Sequence, residues 1–513
     1  MRPETSEKKE FALPAEQILQ TASGGGNILF ESGGEFVLPD YLPKVQKVLR
    51  LEANVLPPAK YMSGSEAQMS GSVLHSLIYL GEDGETSATV LPSKYEFSIP
   101  TAGLASPEVE ASVLVDSLTY RLSAPRKINI RTRLCAKPQV FAAEDIAPKQ
   151  SPEKIAGLHT LGGELDGVFT RFVKLPDTEV ADTIDAGGAE LRPIWCGATA
   201  AVTDVRPTQD GATLRGDVYA KVLVIDGETP KMLQKKIPFE ERVDCELQKG
   251  ASVTARADVI STEAGREQDG GNLYVETVVW LTCRIDEARR IPATLDAFSE
   301  IADGEVSLRT VQTEKPVFAR CGVYGAGGSV PRAGAGAAEA TGVLDTSGAV
   351  SVDDVRAEDG RITVSGRCTL NSIYTTADGE SAGDCTFPFK ITLDAETPDG
   401  TTATAFARLA AARARLDGDN LVCDADIFLC VRASLRGERE IVSAIDFTAA
   451  KPHEKSAYPL SVVYPRGDSL WAVAKANRVS PARLAEINHL TADAAAWRNA
   501  DLLAGKNALM IEF

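Results

Sequence analysis

The sequence predicts a mainly β protein: three tandem antiparallel β-sandwich-like repeats followed by a small α+β module of order strand, helix, helix, strand. Three observations predict it. A glycine-anchored motif recurs three times, each recurrence closes on a strand of strict period-two alternation, and beyond Pro452 the apolar period changes from strand-like to helical. With 513 residues, 44% hydrophobic and 25% charged, the chain has room for roughly three to four domains, each with its own core.

The repeats align on Gly71, Gly216 and Gly366. Met69-Ser70-Gly71 leads into Val73 through Leu80 and then Asp83-Gly84. Leu214-Arg215-Gly216 leads into Val218 through Val224 and then Asp226-Gly227. Val364-Ser365-Gly366 leads into Cys368 through Tyr374 and then Asp378-Gly379. A β-rich run ending in Asp-Gly is a hairpin signal, because that dipeptide tolerates the positive φ of a tight turn. A cluster pairing proline with an aromatic follows each: Phe97 to Pro100, Pro238-Phe239 and Pro388-Phe389. Repeats two and three also share Val202 to Arg206 before Asp210-Gly211, and Val352 to Arg356 before Asp359-Gly360. The closing strands alternate through Ile128-Ile130-Thr132-Leu134, Leu273-Val275-Thr277-Val279-Leu281 and Leu421-Cys423-Ala425-Ile427-Leu429. Such alternation gives one buried and one solvated face, as in antiparallel sheets.

The resulting division is a flexible N-terminal arm (1–30), repeat one (31–140), a connector with a short helix (141–168), repeat two (169–292), a divergent repeat three (293–450) and the terminal module (456–513). Leu38-Pro39-Asp40 and Leu175-Pro176-Asp177 each predict a short amphipathic turn or helix. The Ala- and Gly-rich stretch 325–342 reads as a flexible loop.

Composition excludes several functions. A net charge of −18 argues against a nucleic-acid partner, which needs dense Lys and Arg. No apolar run is long enough to span a bilayer, and the polar start, Met1 to Glu10, does not resemble a secretory signal, so a cytoplasmic location is expected. The nine cysteines are scattered, most within apolar runs, and no C-x-x-C occurs; core thiols are expected, with neither a zinc site nor a redox dithiol. The four histidines, His75, His159, His453 and His489, are far apart in sequence. There is no G-x-S-x-G, no H-E-x-x-H and no complete phosphate loop, and the acidic pairs read as solvated charge. The expectation is a non-enzymatic protein without cofactor or metal.

In the terminal module, Val462-Val463-Tyr464 predicts a strand and Gly467-Asp468-Ser469 a turn that caps a helix carrying Leu470, Val473 and Ala474. Ser480-Pro481 starts a second helix, with Val479 and Leu484 as its hydrophobic staple, and Leu509-Met510-Ile511 closes the module as a strand. Tyr458, Gly467 to Trp471, Ala474-Lys475, Val479-Ser480, Leu484, Asn488, Gly505, Leu509 and Ile511 resemble the LysM pattern. The departure is the long segment between Asn488 and Gly505, where Ala494 to Trp497 predicts an added helical turn. The resemblance implies a shallow ligand groove formed by Gly467, Asp468, Ser469 and Leu470 with Asn488, His489 and Leu490.

The β-repeats, especially Ala124 to Ile130 and the strand from Gly71 to Tyr79, resemble the SPOCS domain. SPOCS repeats before a terminal LysM are similar to the SipL-type spore-coat morphogenetic proteins of endospore-forming bacteria; repeat three lacks the Pro125-Arg126-Lys127 box. This resemblance implies a scaffold in the mother-cell cytoplasm at the forespore surface and spore coat, its LysM domain docking onto a coat morphogenetic ATPase. The alternative is a cell-wall protein binding peptidoglycan, a polymer containing N-acetylglucosamine. An extended array of repeats with a small recognition domain would suit multivalent assembly.

Overall fold

The computed structural model describes residues 17–23, 26–150, 157–185, 191–267, 272–452, 458–490 and 496–513, with backbone alone at 150 and 447–452. Repeat one comprises β1 (Ile18–Ser23), β2 (Ile28–Val37), β3 (Val45–Val55), β4 (Ala59–Ser63), β5 (Glu66–Gly81), β6 (Thr86–Pro100), β7 (Ala105–Ala124) and β8 (Lys127–Asp145). A short β9 (Lys149–Gln150) precedes repeat two, which comprises β10 (Leu158–Asp185), β11 (Arg192–Thr208), β12 (Gly211–Asp226), β13 (Thr229–Asp244), β14 (Ser252–Arg266) and β15 (Asn272–Ser299). Repeat three comprises β16 (Ala302–Pro331), β17 (Gly342–Glu358), β18 (Arg361–Thr376), β19 (Gly379–Asp394), β20 (Thr401–Asp417) and β21 (Asn420–Pro452).

All three share one strand order. A meander makes one antiparallel sheet, β11-β12-β13 or β17-β18-β19, with β3 and β4 together flanking β5 opposite β6 in repeat one. The closing strand makes the second sheet by inserting between the first and penultimate strands, as β15 does between β10 and β14 and β21 between β16 and β20. In repeat one β8 lies between β7 and the pair β1 and β2. The alternating residues of β8, β15 and β21 point between the sheets; Leu134, Val279 and Leu429 are all fully buried.

The motif glycines have a packing reason. Gly71 lies directly across from Tyr95, Gly216 from Phe239 and Gly366 from Phe389. A Cβ on these glycines would meet those rings at 2.5, 2.3 and 2.7 Å, so each ring covers a bare backbone patch. The repeat-one counterpart of Phe239 and Phe389 is therefore Tyr95, not the aromatic of the Phe97-to-Pro100 cluster.

The repeats close around a common axis, which corrects the expectation of an extended array. Ile78, Leu223 and Ile373, which stand at the same distance beyond the three motif glycines, meet in one apolar cluster. They are joined there by Leu49, Ile194 and Leu344, the residues extruded at equivalent bulges of β3, β11 and β17. Three polar tiers below this plug each take a side chain from every repeat. In the first, Arg50 and Lys221 converge on Asp345, the lysine at 2.8 Å. In the second, Arg256 joins Glu110 (3.2 Å) to Asp258 (3.2 Å), which also accepts from Arg408 (2.6 Å). In the third, Arg284 donates to Gln139 (2.7 Å) and to both oxygens of Asp286 (2.9 Å each), with Arg432 at 3.8 Å. Gln139, Arg284 and Arg432 occupy equivalent positions in the three closing strands.

The strands β10, β15, β16 and β21 run on beyond the sandwiches. Leu19 of β1 joins Leu165, Ile291, Val311 and Ile441 from these extensions in a second cluster drawn from all three repeats. Several local expectations change accordingly. Part of the expected N-terminal arm is β-structure, because β1 and the start of β2 both pair with β8; residues 1–16 and 24–25 lie outside the described residues. Among the described residues of the expected connector there is no helix, since β8 and β10 extend into it; 151–156 lie outside. The glycine-rich stretch expected as a loop pairs with β21 as far as Pro331, where Gly328 leaves space for the Phe387 ring. Beyond it Ala335 and Ala337 are fully buried in the core of repeat three. Leu38-Pro39-Asp40 forms a turn whose Pro39 carbonyl accepts from Arg126 (2.8 Å), and Leu175-Pro176-Asp177 is a bulge within β10.

Candidate functional site

The C-terminal module is built from β22 (Leu460–Val463), α1 (Leu470–Asn477), α2 (Pro481–Ile487) and β23 (Leu509–Glu512), the two strands pairing antiparallel. Ser469 caps α1, its hydroxyl accepting from the Ala472 N–H, and Ser480 caps α2 through the Arg483 N–H. Pro481 occupies the first turn of α2, where a missing N–H costs nothing. Arg478 turns the chain between the helices with φ 56°. Leu470, Val473, Ala474, Val479, Leu484, Leu509 and Ile511 form the core. Between α2 and β23, Ala496–Arg498 and Ala500–Leu503 are single 3-10 turns; 494 and 495 of the expected added turn lie outside the described residues.

The seven candidate groove residues divide by what their side chains already do. Leu470 is fully buried and belongs to the core, and Leu490 packs against it. Ser469 is the helix cap. Asn488 donates to the carbonyls of Leu484 (2.9 Å) and Met510 (2.8 Å) and accepts from the Met510 N–H (2.7 Å), so it ties α2 to β23. Gly467, Asp468 and His489 are exposed, Gly467 with φ 80° and His489 with φ 52°. The surface available to a ligand on these two loops is therefore Asp468, His489 and the adjoining backbone.

Two features of the module carried no sequence signal. The first is its seat on the body. The Trp471 indole donates to Asp296 at 2.8 Å and Lys475 pairs with the same carboxylate at 2.7 Å. The Trp471 ring stands edge-on to Phe298 at 5.1 Å, and Arg478 pairs with Asp303. One face of α1 is thus spent on the tip of β10 and β15, where Leu161 and Phe298 enter the module's core cluster. The second is an apolar stripe on the outer face of the small sheet, Leu460 (55% exposed), Val462 (49%), Tyr464 (68%) and Met510 (45%), with Val462 directly across from Met510. With apolar residues on both faces, as at Val462 and Val463, one short strand does not tell which of its faces packs.

The closed arrangement of the repeats also leaves a central chamber of about 1660 Å³. It is faced by β3, β7, β11, β14, β17 and β20, the strands at which the two sheets of each repeat abut without sharing a hydrogen-bond ladder. Arg256, Arg284, Glu314, Arg408, Cys430 and Arg432 are among its lining residues. No sequence-local motif marks it, because each repeat supplies only part of the wall. Among the described residues no group of three or more His, Cys, Asp or Glu side chains is arranged to hold a metal ion, and no helix is long and apolar enough to cross a membrane.

Residues 466–495 match the family model of the LysM domain, a range that includes the α1 cap and both helices. No curated protein and no solved structure matches the chain. The β-body is thus described by its own geometry alone, and the chain carries at its C-terminus a LysM domain, a module that binds peptidoglycan-like polymers or proteins.

Proposed function

We propose that this chain is a non-enzymatic scaffold whose LysM domain docks a protein, and that the partner is the coat morphogenetic ATPase implied by the resemblance to spore-coat morphogenetic proteins. On this reading it works in the mother-cell cytoplasm at the forespore surface. The observation that carries the proposal is the apolar stripe of Leu460, Val462, Tyr464 and Met510. A contiguous exposed apolar patch rimmed by polar residues is the signature of a protein contact. The groove, by contrast, commits Leu470, Asn488 and Leu490 to the module's own fold, which leaves few side chains to hydrogen-bond a sugar. Seating the module on Asp296 removes its freedom to reorient, so less entropy is lost when a partner binds.

A second reading, peptidoglycan binding, is favoured by the family match and by the exposed Asp468 and His489. The two are separated by calorimetric titration of the full chain with the purified ATPase and by co-pelleting with purified peptidoglycan. Val462→Asp should weaken ATPase binding at least about tenfold, equivalent to about 1.4 kcal/mol, while Asp468→Ala leaves it unchanged. Co-pelleting that is lost in Asp468→Ala, with no affinity for the ATPase, would reverse the assignment.

A further inference from the structure

The missing C-x-x-C motif led to the expectation of isolated core thiols, yet the pairing of β16 with β21 places Cys321 directly across from Cys430. Their sulfurs are 2.7 Å apart. Directly opposed residues of an antiparallel pair have Cα atoms about 4.5–5.5 Å apart, within the range of about 4.4–6.8 Å that a disulfide spans, so the bond can close without moving the strands apart.

The two thiols differ in environment. Cys321 is buried, 8% exposed, and its sulfur accepts from the Ala255 N–H of repeat two at 3.4 Å. Burial, and then its hydrogen bond to Cys430, hold this thiol well above the ordinary range. Cys430 is only half-buried and lines the central chamber. The hydrogen bond donated by Cys321 favours its thiolate; burial opposes this, but the charges of Arg432 and Arg284 and the Thr254 hydroxyl add to it, and the net direction is down. A chamber-lining thiol whose ionisation is favoured, 2.7 Å from a buried thiol whose ionisation is opposed, is the arrangement of an attacking and a resolving cysteine.

The second close pair in the chain provides a contrast. Cys385 and Cys423 have sulfurs 3.6 Å apart, but both are buried in the core of repeat three and neither lines the chamber. A reagent that reaches the chamber meets Cys430, along with Cys135 and Cys196, and does not meet these two.

We propose that Cys321 and Cys430 are a redox-active dithiol opening on the central chamber, oxidised by low-molecular-weight disulfides. The Cys430 thiolate attacks one sulfur of the reagent, breaking its S–S bond, forming a mixed disulfide and releasing one thiol. Cys321 then gives up its proton, attacks the Cys430 sulfur and displaces the second thiol. The reagent disulfide is reduced to two thiols and the protein dithiol is oxidised to one disulfide, so electrons and protons balance.

The test uses the full chain and oxidised glutathione, followed by alkylation of remaining thiols under denaturing conditions and mass mapping of peptides. The expected result is a peptide pair linked through Cys321 and Cys430, with seven of the nine thiols still alkylated, reversed by dithiothreitol. Cys321→Ser should hold glutathione on Cys430, whereas Cys430→Ser should leave Cys321 unmodified. If either variant fails to fold, the wild-type time course decides, since glutathione on Cys430 must precede the linkage. Full alkylation of both cysteines after exposure, glutathione retained on wild-type Cys430 without transfer, or linkage of Cys385 to Cys423 instead would each overturn the proposal.

Discussion

His75 lies fully buried between the two sheets of repeat one, its Nδ1 3.0 Å from the Leu91 carbonyl and its Nε2 2.7 Å from the Thr132 hydroxyl. A carbonyl can only accept, so Nδ1 carries the proton and Nε2 accepts from Thr132. Burial lowers the pKa of this imidazole, partly offset by the hydrogen bond to Leu91. The unfolded chain, with its ordinary value near about 6.5, therefore binds the proton first as pH falls. Stability contributed by neutral His75 is complete above about pH 6.5 and declines below it, by at most about 1.4 kcal/mol per pH unit. Chemical denaturation midpoints followed from pH 7.5 to pH 5.5 should fall for the wild-type chain and fall less steeply for His75→Asn. The sequence places His75 within the strand from Gly71 to Tyr79, and Leu91 lies across the expected hairpin, but full burial comes from the facing sheet, where Thr132 of β8 meets the ring in a packing that no local pattern reveals. The same limit applies to Asn488: its place in the LysM pattern was legible, but its use as a clamp on Met510 depends on a contact made across the module.

At the scale of elements, most of the fold was legible. The hairpin turns at Asp83-Gly84, Asp226-Gly227 and Asp378-Gly379 connect β5 to β6, β12 to β13 and β18 to β19, and the alternating runs are the closing strands. The recurrent glycine was found by alignment, whereas its reason lies in the facing strand. Gly366 shows the constraint most clearly: an added Cβ would meet the Ser351 carbonyl oxygen at 2.0 Å and the Phe389 ring at 2.7 Å. Gly366→Val should destabilise repeat three by about 1–3 kcal/mol, the usual cost of overpacking, visible as a lower thermal midpoint with unchanged β-sheet circular dichroism at low temperature. Gly84→Ala provides the comparison for space alone, since a Cβ there meets nothing within 4 Å, although the φ of 81° still opposes it. Where the reading of elements failed, at 325–331 and at the two ends of the expected connector that β8 and β10 occupy, composition suggested a loop and a connector with a short helix. Pairing to a long partner strand overrode that tendency, because the backbone groups of a glycine-rich segment join a ladder as readily as any others.

For the whole molecule, three copies in sequence did not reveal that they close on one another. The bulged apolar residues Leu49, Ile194 and Leu344 and the convergent ion pairs have no local signature; each becomes meaningful only when the other two repeats are in place. Asp345 is the strongest single link, with a fully buried carboxylate serving Arg50 of repeat one and Lys221 of repeat two. Asp345→Ala removes the carboxylate that both cations share, leaving Arg50 with Glu52 at 3.6 Å and the Asn371 side chain and Lys221 with the Thr346 carbonyl. It should cost about 3 kcal/mol in denaturant unfolding, more than the same deletion made together with removal of either cation. Asp258 makes the analogous link from repeat two to repeat three: burial raises its pKa, but Arg408 and Arg256 outweigh burial and hold the carboxyl below its usual range. This closed body, with the LysM domain seated at the tip of β10 and β15, is what turns a small recognition module into a fixed presentation surface. Small-angle X-ray scattering of the full chain tests that claim most directly. A closed body predicts a single particle with a radius of gyration close to the value of about 24 Å expected for a compact chain of this length. A radius well above that, with the scattering profile of linked independent beads, would contradict it.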